Sequence, residues 1–72
     1  MTRFTAIFEK RNDWWIGYVE ELPGANTQGR TIEEARENLK EAVRLIIEAN
    51  REITQKQVDK NDTIREDLIV YV

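Results

Sequence analysis

Apolar and polar positions alternate from Thr2 to Lys10, with Phe4, Ala6 and Phe8 on one side and Thr5, Ile7 and Glu9 on the other. A period of two over this length predicts a β-strand with one strongly apolar face. A second strand is expected from Trp14 to Leu22. It carries Trp15, Gly17 and Val19 on one face and Trp14, Ile16 and Tyr18 on the other, so both of its faces are apolar. Arg11-Asn12-Asp13 supplies turn-prone residues between the two. A two-residue loop, with Lys10 facing Asp13 or Arg11 facing Trp14, places Phe4, Ala6 and Phe8 beside Trp15, Gly17 and Val19. A three-residue loop would exchange the faces.

Pro23-Gly24 ends the second strand, because proline has no ladder donor and glycine permits a positive φ. Ala25 to Gln28 is expected to be a short third strand at an edge, closed by a turn at Gly29. Thr31-Ile32-Glu33-Glu34 is a capping box. The Thr31 hydroxyl is placed to accept from the Glu34 N–H, and the Glu34 carboxylate to return to the Thr31 N–H. The two acids also suit the positive end of a helix. Beyond them, Ile32, Ala35, Leu39, Ala42, Val43, Ile46, Ile47 and Ile53 fall within about a 140° sector of one helix. Arg44/Glu48 and Glu52/Lys56 stand at four-residue spacing on its outer side. No glycine or proline stops the helix, whose end is expected near Gln55. A turn is expected at Asn61-Asp62, and Leu68 to Val72 reads as a final short strand. The chain is one α+β domain, residues 1–72, in the order β-β-β-α-β.

Composition narrows the chemistry. The 72 residues contain no histidine and no cysteine, and no serine occurs in the sequence. Disulfides and His or Cys metal sites are thereby excluded, and threonine, the one hydroxyl nucleophile besides tyrosine, has no evident base beside it. The fourteen acids fall mostly at strand ends and on the solvent side of the helix, a solvated surface rather than a converging metal site. Pro23-Gly24 through Gly29 matches no phosphate-binding loop. No cofactor is expected, and the chain is not expected to be an enzyme. The net charge of −3 argues against a duplex-binding footprint, and Asp13, Glu20 and Glu21 beside the aromatic residues argue against a base-stacking platform. No apolar run approaches the roughly 20 residues that a membrane span needs, and the N-terminus lacks a secretory apolar region, so a cytoplasmic location is expected.

Size and patterning together point to association. A domain this small is marginal on its own, and oligomerisation is a usual route to stability. Trp14, Ile16 and Tyr18, with Ile7 and the later Ile69 and Tyr71, make a second apolar face that one helix cannot also cover. A homodimer or higher oligomer is expected, in a pair that buries this face or joins strand edges, with Glu20 and Glu21 on an acidic rim.

The segment Leu22-Pro23-Gly24-Ala25-Asn26-Thr27-Gln28-Gly29-Arg30-Thr31-Ile32-Glu33-Glu34-Ala35 resembles the hallmark of the HicB antitoxin family, of the form L-P-G-x-x-x-x-G-x-T-x-x-E-A. Trp15-Ile16-Gly17-Tyr18-Val19 fits the strand that precedes it, and the resemblance extends from Phe4 to about Ile53. Ala25 stands where cysteine is frequent and Arg30 where an acid is frequent, and neither change disturbs the turn or the cap. Pro23, Gly24, Gly29, Thr31 and Glu34 are the structural positions of the motif. The resemblance implies a partial ribonuclease-H-like fold without the nuclease residues. Its sheet would have order 3-2-1-4, with the last strand parallel to the first and one long helix on one face. It also implies a partner, a small HicA-type toxin that cleaves mRNA. Relatives that bind operator DNA do so through an added C-terminal domain, which these 72 residues do not contain, so direct nucleic-acid binding is not expected. Two functions follow: an antitoxin-like module that neutralises such a toxin, or an orphan oligomeric interaction domain with no toxin partner.

Overall fold

The structure, a computed structural model, describes residues 3–58 and 62–71. The alternating N-terminal pattern forms a hairpin of β1 (Ala6–Arg11) and β2 (Trp14–Val19). Arg11 stands opposite Trp14, Phe8 opposite Gly17 and Ala6 opposite Val19. The loop is Asn12-Asp13, and Asn12 takes a left-handed φ of 55°, which asparagine tolerates better than most residues. This register puts Ala6, Phe8, Gly17 and Val19 on one face. Both strands are shorter than the sequence pattern suggests. β2 ends at Val19, although the Glu20 N–H still donates to the Thr5 carbonyl at 2.9 Å.

Leu22-Pro23-Gly24-Ala25 is a type II turn. Proline holds the second position and Gly24 the third with φ of 93°, and the Ala25 N–H donates to the Leu22 carbonyl at 3.1 Å. The chain reverses into β3 (Asn26–Gly29), which pairs antiparallel with β2, Tyr18 opposite Asn26 and Trp15 opposite Gly29. The sheet order is β1-β2-β3.

Helix α1 (Ile32–Gln57) starts at the Thr31 cap, whose hydroxyl accepts from the Glu34 N–H at 3.1 Å. The return arm differs from the expected box. The Glu34 carboxylate accepts from the Arg30 N–H at 3.3 Å, one residue earlier than Thr31. Gly29 lies directly against the Ala35 backbone, and that close entry brings the Arg30 amide within reach. The helix runs two residues past Gln55 and closes with the Val58 N–H on the Thr54 carbonyl at 3.0 Å.

α1 packs on β3 and β2 rather than over β1. Val19, Ala25, Ala35 and Leu39 are buried, with Phe8, Leu22, Val43 and Ile46 packed around them. Gly29 sets the closest approach of the two layers, a Cβ there meeting the Ala35 nitrogen at 2.7 Å, whereas a Cβ on Gly17 would meet the ring of its own sheet neighbour Phe8 at 2.9 Å and Leu39 of the helix only at 3.7 Å. A 26-residue helix is about 39 Å long, whereas six-residue strands span about 20 Å, so the distal half of α1 overhangs the sheet. Leu45 and Ile53 are accordingly more than half exposed, and Ile53 does not extend the core stripe.

Two further expectations are corrected. The order is not 3-2-1-4: residues 68–71 form no strand, Leu68 and Tyr71 are 87% and 92% exposed, and the far edge of β1 has no partner strand among the described residues. An apolar β-branched run specifies the propensity for a strand but not which edge it joins. Residue 72 of that run and Asn61 of the expected turn lie outside the described residues. The helix ion pairs among the described residues are Lys40–Glu37 at 2.8 Å and Arg44–Glu41, three residues apart rather than the four of Arg44/Glu48 and Glu52/Lys56. Arg44 has an acid on either side of it at helical spacing and takes the nearer turn.

Candidate interaction surface

The outer face of the sheet, turned away from α1, follows from the two registers. Its rows read Arg11-Trp14-Arg30, then Glu9-Ile16-Gln28, then Ile7-Tyr18-Asn26, with Thr5 beside Glu20 at the end. Alternation along β2 delivers Trp14, Ile16 and Tyr18 to this side because Gly17 and Val19 are committed to the helix side. Trp14 and Tyr18 are each 37% exposed, while Ile7 and Ile16 are half-buried between their neighbours. Arg30 reaches back from the end of β3 and stacks on Trp14, its guanidinium carbon 4.7 Å from the ring centroid. Arg11, at the same end of the face, is paired with Glu9 at 3.2 Å.

The acidic end is built differently from the sequence expectation. Glu20 is exposed at the end of the face. Glu21 is engaged locally: its carboxylate accepts from the Thr5 hydroxyl at 2.6 Å and the Thr5 N–H at 2.7 Å. Those hydrogen bonds, the hydroxyl's first, hold its pKa below the ordinary value of 4.5. Glu21 thus fastens the start of the chain to the bend after β2. Ile69 and Tyr71 do not join the face, being 74% and 92% exposed. Ile7, Trp14, Ile16 and Tyr18 are therefore together, Glu20 borders them, and Glu21, Ile69 and Tyr71 stand apart.

Sequence reasoning missed two features. One is the Arg30–Trp14 stack, which becomes visible once Gly29 is set opposite Trp15, since the next residue then falls beside Trp14. The other is an open groove of about 470 Å³ between β1 and α1, floored by Phe4, Phe8, Val19, Leu39 and Val43. Arg36 stands at its rim, 5.9 Å from the Phe8 ring centroid. The groove exists because α1 sits over β2 and β3 and leaves the inner side of β1 uncovered. Among the described residues no three acidic side chains gather where they could hold a metal ion, and no helix is long and apolar enough to cross a membrane.

Among the described residues these features define a small α+β fold, with one helix on one face of a three-stranded antiparallel sheet and an aromatic, open second face. By sequence it belongs to the UPF0150 family. A UPF0150 protein of Synechocystis is 38% identical over 68 residues, 92% of each chain. One of Thermoplasma acidophilum is 40% identical over 55 residues, 75% of this chain and 80% of that protein. One of Thermotoga maritima is 43% identical over 47 residues, 62% of this chain and 63% of that protein. No family model matches the chain, and no solved structure matches it.

Proposed function

We propose that the chain is a non-catalytic protein-interaction module of the antitoxin type, which neutralises a small HicA-type mRNA-cleaving toxin in the cytosol. The observation that carries the interaction-module half of this reading is the open sheet face, on which Trp14, Ile16 and Tyr18 are aligned and flanked by charged and amide side chains. Aromatic residues in a polar surround are the composition of a protein interface. The toxin half of the reading rests on the likeness of Leu22 to Ala35 to the HicB hallmark. In this chain Pro23, Gly24, Gly29, Thr31 and Glu34 act together as turn, close approach and cap, so the motif's residues have a common structural purpose. The same likeness supports reading the β-β-β-α unit as part of a ribonuclease-H-like fold. A basic toxin would find the exposed acids of α1, Glu33, Glu37, Glu48 and Glu52, outside the sheet face.

The test is co-expression of the chain with the small, basic, histidine-containing reading frame adjacent to its gene. Restored growth and a co-purifying complex are the expected results. Absence of any such frame, or toxicity undiminished by the chain, would overturn the antitoxin reading and leave the orphan interaction domain.

A further inference from the structure

We infer that the outer sheet face binds a second copy of this chain, sheet against sheet, about a two-fold axis that runs perpendicular to the strands. This deepens the reading of that face as a protein interface and rests on it. The face is electrically polar along the strand direction. One end carries Arg30, stacked on Trp14 and without an ion-pair partner among the described residues. Arg11 is at the same end but is paired with Glu9, and Asp13 lies in the adjoining turn. The opposite end carries Glu20, exposed beside Thr5.

With the strands of the two sheets aligned, a two-fold pair of identical faces has two ways to set its axis in the interface plane. An axis parallel to the strands keeps each row over its own copy. Arg30 and Trp14 would then meet the partner's Arg11, Trp14 and Arg30, and Glu20 would meet Glu20, so like charges would be crowded at both ends. An axis perpendicular to the strands keeps β2 over β2 but reverses the rows. Glu20 of each copy then arrives over Trp14 of the other, where the Arg30 guanidinium is already held, and Ile16 meets Tyr18. The stack that draws Arg30 out of the β3 column and over β2 is what makes this second arrangement complementary. Two Arg30–Glu20 contacts form per dimer and enclose an apolar centre. Sheets packed in this way meet about 10 Å apart, with the aromatic residues excluded from water.

The charge pattern makes a sharp test. Arg30→Glu alone sets an introduced carboxylate against Glu20 twice per dimer, and Glu20→Arg alone sets an introduced guanidinium against Arg30 twice. In a mixed dimer of the two variants one end keeps the native Arg30–Glu20 contact, and the other brings the two introduced side chains together with opposite signs though without the Trp14 stack, so like charges meet at neither end. Sedimentation velocity of the full chain is measured for wild type, each variant and the equimolar mixture at low and high salt, with thermal melts to establish that each variant folds. We expect a wild-type dimer, a dissociation constant raised about ten-fold or more in each single variant, and recovery in the mixture to well below either single variant's value. The difference between singles and mixture should shrink at high salt. Wild type monomeric at hundreds of micromolar, single variants that dimerise like wild type, or a mixture no tighter than its components would each overturn the proposal. Arg30→Glu also removes the stack on Trp14, but Glu20→Arg does not, and the mixture discriminates lost charge pairing from a disturbed fold. Toxin rescue by the wild-type chain is scored separately, so a monomer that still rescues refutes the dimer and not the interaction module.

Discussion

Gly29→Ala should be the most damaging single-methyl change in this chain, and its cost follows from one close approach. A Cβ at Gly29 would stand 2.7 Å from the Ala35 nitrogen and 3.2 Å from both the Ala35 Cα and the Glu34 carbonyl carbon. All three are backbone atoms of the first turn of α1, so no side chain can swing aside. The turn is itself fastened by the Thr31 hydroxyl on the Glu34 N–H at 3.1 Å and the Glu34 carboxylate on the Arg30 N–H at 3.3 Å. Relief requires the helix to back away from β3, which loosens Ala35 and Leu39 in the core and strains the cap. Overpacking of this kind costs about 1–3 kcal/mol, and a weakened N-cap adds about 1. Reduced unfolded-state freedom returns about 0.5–1 of that. The net, about 1–3.5 kcal/mol, should lower Tm by roughly 5–25 °C in a domain of this size. Gly17→Ala is the matched control. Its Cβ would meet the Phe8 ring at 2.9 Å, but that ring is half-buried beside the open groove and can rotate away. Its cost should be under about 1 kcal/mol. Thermal unfolding by circular dichroism compares the two variants. A Gly29→Ala melt within a few degrees of wild type, or a Gly17→Ala melt lower than it, would refute the argument from backbone contact.

Other outcomes follow from the same geometry. Gly17→Val overreaches what Phe8 rotation can absorb and should cost on the order of 1–3 kcal/mol in chemical denaturation. Thr31→Ala should cost about 1 kcal/mol in the same assay by removing the acceptor for the Glu34 N–H, while Thr31→Ser should be near neutral. Thr5 holds the Glu21 pKa below 4.5, and a hydrogen bond from Lys40, reinforced by its charge, does the same for Glu37. For both groups the folded pKa is the depressed one, so their stabilisation is complete above pH 4.5 and is lost as pH falls through the folded value. A Glu21→Gln variant should therefore melt closer to wild type at low pH than at about pH 7; an equal deficit at both would count against the Thr5 contact. The Trp14→Ala/Tyr18→Ala double variant should retain its far-ultraviolet spectrum yet sediment as a monomer where wild type does not.

The parts of this fold that sequence makes legible are those decided within a few residues. Pro23-Gly24 specifies a type II turn because one residue fixes its own φ and the other tolerates a positive one. Thr31 marks the helix start because its hydroxyl reaches the amide three residues on. The hairpin faces are readable because a one-residue slip would turn Phe8 and Val19 outward. What was not legible depends on partners far along the chain. The apolar run from Leu68 says strand, but only a free edge and a route to it can say where, and in this structure the run joins none. The helix end at Gln57 has no glycine or proline to announce it and is set by where Val58 turns away. The Glu34 return bond to Arg30 depended on how closely Gly29 approaches Ala35, a distance no local pattern encodes. On the outer face, Trp14, Ile16 and Tyr18 were readable as a set from alternation alone. Glu21 was not, because its role comes from Thr5, far earlier in the chain.

The amount of surface left open also bears on function. A folded chain of 8.5 kDa is expected to expose about 4,700 Å², whereas this one exposes 6615 Å². Its radius of gyration is 15.8 Å against about 11 Å for a compact chain of the same length. The excess comes from the overhanging half of α1, the exposed segment from 62 to 71, and a sheet covered on one side. Among the described residues only four apolar side chains are buried, and no large one is fully so. A core that small leaves little margin for a monomer, so surfaces that look like opportunities for binding are also demands for it. The demand is unequal. The overhang carries charged side chains and isolated apolar residues that water tolerates, whereas the sheet face aligns Trp14, Ile16 and Tyr18 with an arginine already ordered above them. Ordering side chains is a cost of association that usually falls due on binding. With Arg30 already stacked on Trp14, part of that cost is met in the free chain. This makes the outer face, rather than the helix overhang, the surface through which the chain should first associate.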